Sequence, residues 1–477
     1  MERTELINQL KLIVGDERVI TDEASVLDAS KDYIGFRRYE RDSGHNLVPR
    51  AACVVMVKDT EQVSKVLSFL NTEKIDVVPR TGGSSVTRGV EPQKGGVILD
   101  GSDMTGIIDI DTVNMQVTAR CGMPLEQLEK TLNDQGYTTG HLPQSLPMAQ
   151  LGGLVATRSI GQFSTLYGGI EDLLVGLEAV LADGSVVRIK NVPRRSAGPD
   201  LRHMFIGSEG MLGFVTEVTM KIFKYRPEDR WMCAFLIKSV RKGLETIADI
   251  MREGYKPAVV RLHDYAELKE VMHINVPKDH ALLLFICDGP KSVNKATGAA
   301  ILNIALRHHA IPLGPKPVMT WYKMRNDVCN DMDKPIYYNM GAIADTCEIS
   351  APWSEIANVY ENTVARIKRE IKNIAVVGGH ASHCYAQGTN IYFQFALMED
   401  DYTKAEQDYM SVISIIMEET LKRGGSIAHH HGSGKYRTRW MPEEHGSSYQ
   451  LMYRLKEALD PNYILNKGVI LVDGKDN

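Results

Sequence analysis

Apolar and polar residues alternate along the N-terminal half of the chain with two different periods. Residues 1–20 carry apolar side chains at helical spacing and predict a helix, whereas the polar stretch 32–50, dotted with aromatic residues, predicts a loop. The apolar runs 51–58 and 75–79 predict strands, and the amphipathic stretch 59–74 between them predicts a helix. The chain therefore enters its first domain as strand, helix and strand, which end in a glycine-bearing loop.

Further along, the same pattern predicts a hairpin and then a change of architecture. Apolar sequence on both sides of Asp183-Gly184 predicts a β-hairpin with a type I′ turn. Beyond about residue 226, amphipathic stretches such as 239–254 alternate with apolar runs such as 281–289. We therefore expect an α+β fold in four parts. These are an N-terminal helix and loop over 1–44, a first α+β domain over 45–226, a second over 227–420 and a C-terminal segment over 421–477.

The composition is that of an ordinary globular protein and argues against two classes of partner. Of 477 residues, 43% are hydrophobic and 24% are charged, and the net charge of -5 comes without a basic cluster, which argues against nucleic-acid binding. The longest apolar runs, such as 281–287, are too short to cross a membrane. A peripheral membrane contact is left open.

The cysteines and the N-terminal residues indicate in which cellular compartment the protein is expected. Seven cysteines stand singly, without a CxxC pair, which argues against a disulfide framework and against a zinc ribbon. The first residues lack the apolar core and the cleavage site of a signal peptide. We expect a cytoplasmic protein that forms a homodimer.

Three loops of the first domain are punctuated by glycine. Segment 79–86 reads PRTGGSSV after a predicted strand, and segments 139–162 and 207–222 carry further closely spaced glycines. The first is neither a Walker loop nor GxGxxG. Its bare backbone N–H groups and hydroxyls suit a pyrophosphate, although one such loop alone is more often an ordinary turn. Three of them in one α+β domain indicate an extended nucleotide cofactor.

The order of these motifs is more specific than any one of them. P-x-x-GG-S-S at 79–85 is followed by GH-x-P-x-S-L and GG over 140–153, YG-x-IEDL over 167–173 and GPDL with GSEG-x-LG over 198–213. This order resembles the PCMH-type FAD-binding domain of the vanillyl-alcohol oxidase superfamily, and within it the alkyldihydroxyacetonephosphate synthases. The likeness covers about residues 45–470. It implies a FAD-binding domain, then a substrate or cap domain, then a C-terminal segment that returns to the flavin.

The resemblance also implies how FAD is held. Ser84 stands where the superfamily often has a histidine bonded to the flavin, so non-covalent FAD is implied. Thr81 to Ser85 would surround the pyrophosphate, and Glu209 to Val215 would contact the adenine side. The full set of implied FAD contacts is Pro79, Arg80, Thr81, Gly82, Gly83, Ser84, Ser85, Gln144, Ser145, Leu146, Gln150, Gly152, Gly153, Thr157, Arg158, Ser159, Glu209, Gly210, Leu212, Gly213 and Val215.

A second group of motifs carries the implied chemistry. His429, His430 and His431 lie in SIAHHHGSGKYR, Tyr385 lies in YAQGTNIYF, and Arg261 lies in PAVVRLHD. The resemblance implies that Tyr385 handles a proton, that the histidines contact or polarise the substrate, and that Arg261 holds the site together. The residue types suit these roles, because a phenol beside cations can act as a base near neutral pH and imidazoles can donate or accept protons.

No metal is expected in this site. Related 2-hydroxy-acid dehydrogenases hold a divalent metal with a histidine-containing strand and a Glu-His-Gly turn. In this chain the strand reads SHCYAQGTNIY and the turn reads HHHG, with His430 in the place of the glutamate. A rearranged site built from His380, His383 and His430 is left open. The basic run after the turn, which includes Arg437, is expected to be solvated.

Three functions are compatible with these residues. The resemblance implies an ether-lipid synthase-like enzyme that acts at FAD on a small oxygenated, anionic substrate. The alternative is FAD-dependent oxidation of a 2-hydroxy acid or polyol by hydride transfer, and the third is a flavin-binding module without catalysis. The first lacks the arginine of a P-Y-x-R-D segment and the second lacks the metal ligands. The presence of the tyrosine, the arginine and the histidines together argues against the third.

Overall fold

The strands form four sheets in the computed structural model, which describes residues 1–45 and 47–472. The strands are β1 (Val19–Ile20), β2 (Cys53–Met56), β3 (Val77–Arg80), β4 (Val97–Asp100), β5 (Ile107–Asp111), β6 (Gln116–Arg120), β7 (Tyr137–Thr138), β8 (Leu174–Val180), β9 (Val186–Ile189), β10 (Phe214–Lys221), β11 (Phe223–Lys224), β12 (Trp231–Ile237), β13 (Val259–His263), β14 (Ala281–Cys287), β15 (Ile311–Gly314), β16 (Ala342–Pro352), β17 (Ile374–Ala381) and β18 (Gly388–Met398). The α-helices are α1 (Arg3–Val14), α2 (Glu23–Ser30), α3 (Gly35–Asp42), α4 (Thr60–Glu73), α5 (Leu125–Asn133), α6 (Leu151–Ala156), α7 (Ser164–Tyr167), α8 (Ile170–Leu173), α9 (Val240–Arg252), α10 (Tyr265–Glu270), α11 (Lys291–Arg307), α12 (Lys316–Met324), α13 (Ile336–Asn339), α14 (Ile356–Glu370), α15 (Ala405–Leu421), α16 (Met441–His445) and α17 (Tyr449–Leu459).

The first domain contains two larger sheets. One has the order β1-β2-β4-β3, with parallel pairing of β2, β4 and β3, and the other is the antiparallel sheet β5-β6-β10-β8-β9. The predicted strand, helix and strand are β2, α4 and β3. The side chain of Asp59 accepts a hydrogen bond from Gln62 N at 2.9 Å and caps α4. The loop after β3 thereby opens at the end of a parallel sheet, where nucleotides commonly bind.

Two local predictions for this half are wrong. The N-terminal helix ends at Val14 instead of residue 20, because Gly15 takes a φ of 101° that ends the helix, and β1 follows. The hairpin between β8 and β9 is present, but its turn is not type I′. Gly184 has a φ of 88° and Asp183 has no positive φ, whereas a type I′ turn needs both.

The stretch predicted as a loop contains the helix α3. Its charged residues obscured the helical spacing of Phe36 and Tyr39, which are buried together with Ile34 directly before the helix. The N–H of Gly35 donates to Asp345 Oδ2 at 2.6 Å and fixes the start of the helix against the second domain. Burial of this helix against strand β16 overrides the polar composition.

The second domain is built on an antiparallel sheet with the strand order β15-β12-β14-β13-β17-β18-β16. Helices α9, α11, α14 and α15 pack with buried aromatic residues such as Phe235, Phe285 and Phe393 in one core cluster. Neighbouring strands bring four polar side chains into register, because His263 lies opposite His380, His380 opposite Tyr392, and Tyr392 opposite Glu348. Cross-strand partners share one face of a sheet, so this register forms a transverse row of polar side chains.

The C-terminal segment, predicted over 421–477, returns to the first domain. Val77 N donates to Ile464 O at 2.8 Å, and Asn466 N donates to Val77 O at 2.9 Å, so this segment pairs with β3. Residues 473–477 lie outside the described residues. The turn that carries the three histidines precedes this return and is held between the two domains.

Candidate active site

A single long cavity connects the glycine loops of the first domain with the large sheet of the second. Its volume is about 1070 Å³. Eighteen of the residues implied as FAD contacts line it, namely Pro79, Arg80, Thr81, Gly82, Gly83, Ser84, Ser85, Gln144, Ser145, Gln150, Gly152, Gly153, Thr157, Ser159, Glu209, Gly210, Gly213 and Val215. Among the implied catalytic residues, Arg261, His430 and His431 line it as well. Residues from distant segments therefore meet in one space.

Three implied FAD contacts do not line this cavity. Leu146 and Leu212 are buried in hydrophobic core clusters. The Arg158 side chain points outward, where its Nε lies 3.1 Å from Glu171 Oε1. Consecutive residues of a loop or turn point in different directions, so a motif read as a continuous string includes residues that face away from the cavity.

The walls of the first-domain half fit a dinucleotide such as FAD. The loop after β3 packs closely, because a Cβ at Gly82 would lie 2.5 Å from Met148 O and because Gly83 has a φ of 63°. Four residues that line the cavity have a buried amide oxygen without a hydrogen-bond partner in the described structure, namely Gln150, Gln162, Gln394 and Asn466. Buried polar atoms normally have partners, so these atoms suit a polar ligand. The narrow glycine loop leaves backbone N–H groups free of side-chain bulk for phosphates.

Glu209 lines the cavity and also contacts the segment that follows the histidine turn. Its carboxylate accepts hydrogen bonds from Ser433 N at 2.7 Å and from Gly434 N at 2.9 Å, directly after the histidine turn. Burial raises the pKa of Glu209 to about 7, against the lowering effect of these backbone donors. The backbone oxygen of Glu209 accepts from Asn466 Nδ2 at 2.6 Å. This residue therefore joins the first domain to the C-terminal segment.

The histidine turn is shaped by a buried carboxylate that the sequence did not indicate. Glu348 Oε1 accepts from the backbone N–H of His430 at 3.2 Å and of His431 at 2.9 Å, and its Oε2 lies 2.9 Å from His431 Nδ1. Arg437, expected in solvent, is fully buried and pairs with Glu348 at 2.6 Å. His429 does not line the cavity, and its Nδ1 lies 2.9 Å from His430 Nδ1.

The tyrosine that faces the cavity differs from the one implied by the motif. Tyr385 is 38% exposed, does not line the cavity and has its hydroxyl 2.9 Å from His429 Nε2. Tyr392 on β18 lines the cavity, and its hydroxyl lies 3.2 Å from His431 Nε2. The two-residue period of β18 was the available signal, since it places the polar side chains of Tyr392 and Gln394 on one face of the strand.

A second cluster on the cavity wall contains the buried cation. Arg261 is 8% exposed, its guanidinium lies 5.0 Å from the ring centre of Trp321, and its Nε donates to His263 Nε2 at 3.2 Å. Glu267 lies 2.9 Å from His263 Nδ1 and 3.0 Å from His380 Nδ1. Burial lowers the pKa of Arg261 to about 10, so the group stays charged at neutral pH. Within the described residues no carboxylate lies within ion-pair distance of Arg261.

The rearranged metal site left open by the sequence is not assembled as such. The ligand atoms of His380 come within 4.8 Å of those of His263 and Glu267, whereas His383 and His430 group with His429. Burial lowers the pKa of His380 to about 4, and it lowers the pKa of His430 well below its ordinary value. These imidazoles are therefore neutral acceptors at physiological pH.

No helix among residues 1–45 and 47–472 has both the length and the apolar character needed to span a bilayer. The sequence matches the FAD binding domain family over residues 51–190 and the family described as FAD linked oxidases, C-terminal domain, over residues 226–470. The α+β architecture with an FAD-binding domain, expected from the motifs, is confirmed by this match and by the fold comparison below.

Proteins with several different names are similar to this chain over most of its length. The chain is 45% identical to the uncharacterized FAD-linked oxidoreductase YgcU of Escherichia coli O157:H7, with 98% of this chain and 99% of that protein covered. It is 29% identical to alkyldihydroxyacetonephosphate synthase of Caenorhabditis elegans (86% and 74% covered) and 26% identical to a mitochondrial D-lactate dehydrogenase [cytochrome] of Arabidopsis thaliana (98% and 80% covered). A solved structure of alkyldihydroxyacetonephosphate synthase superposes with a TM-score of 0.81 at 22% identity, with 98% of this chain and 86% of that chain covered.

Proposed function

Because this chain belongs to the family of FAD-linked oxidoreductases and takes FAD as its cofactor, we propose that it oxidises a hydroxyl-bearing, anionic small molecule. The observation that carries this proposal is the buried guanidinium of Arg261, which faces the cavity without a carboxylate partner in the described structure. A buried cation is costly unless it is paired, so the carboxylate or phosphate of a substrate is its natural partner.

The same cavity holds a group that can take the hydroxyl proton. Glu348 fixes the proton of His431 on Nδ1, so Nε2 accepts from the Tyr392 hydroxyl. Burial raises the pKa of Tyr392 above its ordinary value, so this phenol stays protonated and works as a relay. The oxygen of Tyr392 receives the proton of the substrate hydroxyl while its own proton moves to His431 Nε2.

The electrons leave the substrate by a separate route. When bound, FAD supplies a two-electron acceptor for the hydride released from the hydroxyl-bearing carbon. Arg261 orients the substrate by its anionic group and keeps that carbon in a fixed place in the cavity. The substrate thereby loses one proton and one hydride and becomes a carbonyl compound.

An ether-lipid synthase-like exchange is the second candidate. It is favoured by the likeness to alkyldihydroxyacetonephosphate synthases and by an apolar stretch of cavity wall that suits an acyl or alkyl chain. Against it, Tyr385, which that resemblance assigns to proton transfer, does not line the cavity. The apolar stretch is formed by Trp321, Met324, Val328, Met332 and Met340.

Anaerobic mixing of the yellow protein with hydroxy acids, polyols and acyl-dihydroxyacetone phosphate tests the proposal. We expect bleaching of the flavin absorbance by a hydroxy acid. Arg261→Gln should lower kcat/KM about 10- to 100-fold, the scale of a lost charge-assisted hydrogen bond, whereas the outward-facing control Arg158→Gln should stay within about threefold. Turnover of the acyl compound with no bleaching by any hydroxy acid would favour the exchange reaction.

A further inference from the structure

A second imidazole–carboxylate cluster faces the same cavity as the His431 relay. Strands β13 and β17 place His263 directly opposite His380, and α10 brings the Glu267 carboxylate between the two rings. All three side chains are at least 94% buried, and all three line the cavity. The proposed oxidation gives none of these three side chains a role.

The hydrogen bonds of this cluster determine where its protons lie. Arg261 Nε donates to His263 Nε2, so the ring proton of His263 sits on Nδ1; Glu267 Oε2 lies 2.9 Å away, although the geometry is not that of a hydrogen bond. Burial would raise the pKa of Glu267, but His263 and His380 lower it well below its ordinary range, so it is an ionised acceptor. Its other oxygen lies 3.0 Å from His380 Nδ1, which holds the proton of His380 on that atom.

His380 is therefore left with a lone pair on Nε2. No described residue forms a hydrogen bond with that atom, and the ring lines the cavity. The ring of Tyr392 stacks on His380 with centroids 4.8 Å apart and planes 12° apart, which fixes the direction of the lone pair. An acceptor oriented in this way can take a hydrogen bond from an O–H or N–H group of a ligand in the cavity.

We infer that His380 Nε2 binds a second hydroxyl group of the substrate, so that the substrate is a dihydroxy or polyhydroxy acid. The inference rests on the proposed function, in which Arg261 takes the anionic group and Tyr392 takes the reacting hydroxyl. Arg261 has only donors and the Tyr392 proton is directed to His431, whereas His380 Nε2 offers an acceptor for another O–H beside them. Glu267 is a positioning residue, because it acts by fixing the proton of His380.

A metal ion bound by His263, Glu267 and His380 is the competing use of this cluster. The ligand atoms lie within 4.8 Å of one another, but Arg261 already donates to His263 Nε2. A metal on His263 Nδ1 would require a proton on Nε2, facing the Arg261 donor. The Arg261 donor therefore opposes a metal ion at this cluster.

Lactate and glycerate test the inference, because they differ only in the 3-hydroxyl group. We expect kcat/KM for glycerate to exceed that for lactate of the same configuration by about 10- to 100-fold, since a site built for a hydroxyl rejects the analogue that lacks it. In His380→Leu that ratio should fall below about threefold, because a change in the steps common to both acids cancels in the ratio. His380→Gln restores an acceptor and should recover part of the ratio.

Glu267 is tested by the same ratio. Glu267→Gln keeps an acceptor for His380 Nδ1 and should keep most of the preference for glycerate, whereas Glu267→Leu should lose it, at equal flavin content. Equal kcat/KM for the two acids in the unmodified protein would overturn the inference, as would a preference that survives in His380→Leu. A loss of the preference on treatment with a chelator would assign the cluster to a metal instead.

The experiment also distinguishes a failure of the proposed oxidation from a failure of hydroxyl binding at His380. If neither acid bleaches the flavin, oxidation of hydroxy acids is wrong, and the shift of the flavin absorbance on titration then reports binding. Tighter binding of glycerate than of lactate, lost in His380→Leu, would still support hydroxyl recognition. Equal binding of both acids, or no binding, would overturn it. If His380→Leu does not fold, the ratio for the unmodified protein and for His380→Gln still decides the matter.

Discussion

Tyr392 and Tyr385 present the same hydroxyl group to neighbouring histidines, one inside the cavity and one at its outer side. Tyr392→Phe removes the proton relay to His431 and should lower kcat about 10²- to 10⁴-fold, the usual contribution of a general acid or base. Tyr385→Phe is the matched control and should stay within about threefold. Steady-state kinetics at equal flavin content measure both, and a large loss in Tyr385→Phe alone would restore the pair implied by the sequence motif.

Ser84 bears on the attachment of FAD. It lines the cavity and supplies no ring nitrogen for a bond to the flavin. We expect acid precipitation to release FAD into the supernatant, where its absorbance and fluorescence can be measured. A precipitate that stays yellow would show that another side chain forms a covalent link.

At the scale of elements, the histidine turn depends on the pair of Glu348 and Arg437, both fully buried. Glu348→Gln leaves a buried arginine without its counter-ion and should lower the free energy of unfolding by about 3–5 kcal/mol. The matched control is Glu355→Gln, since the Glu355–Arg423 pair is about one-third exposed and should contribute less than about 1 kcal/mol. Urea unfolding measures both, and equal losses in the two variants would contradict the role given to the buried pair.

At this scale, the sequence predicted the local features of the site better than the features that depend on strand pairing. The glycine loops were found because their chemistry is local, and 18 of 21 implied contacts line the cavity. The sequence did not predict that His380, Tyr392 and Glu348 lie side by side. Their row depends on the register of β17, β18 and β16, which cannot be read from any one segment. Arg437 was misjudged because its partner lies 89 positions away.

At the scale of the whole molecule, Glu209 links stability to pH through the contact between the first domain and the C-terminal segment. Its folded pKa of about 7 exceeds its unfolded value of about 4.3, so stability is lost as pH rises from 5 to 7. Glu209→Gln has no carboxyl group to titrate at this position, so it does not lose stability in this way. Its free energy of unfolding, relative to the unmodified protein, should therefore rise by up to about 1.4 kcal/mol per pH unit over that range. Urea midpoints at pH 5, 6 and 7 measure it, and a constant difference would contradict a raised pKa.

The return of the C-terminal segment to β3 has a consequence for how the protein is made. Ile464 and Asn466 pair with Val77, and Ser433 and Gly434 pair with Glu209, so the cavity wall is completed by residues that leave the ribosome long after the glycine loop. The nascent N-terminal domain exposes an open half-site during synthesis. The complete set of cavity contacts therefore exists only after Asn466 has been synthesised, and we expect a chain that stops before this residue to bind FAD more weakly than the full chain.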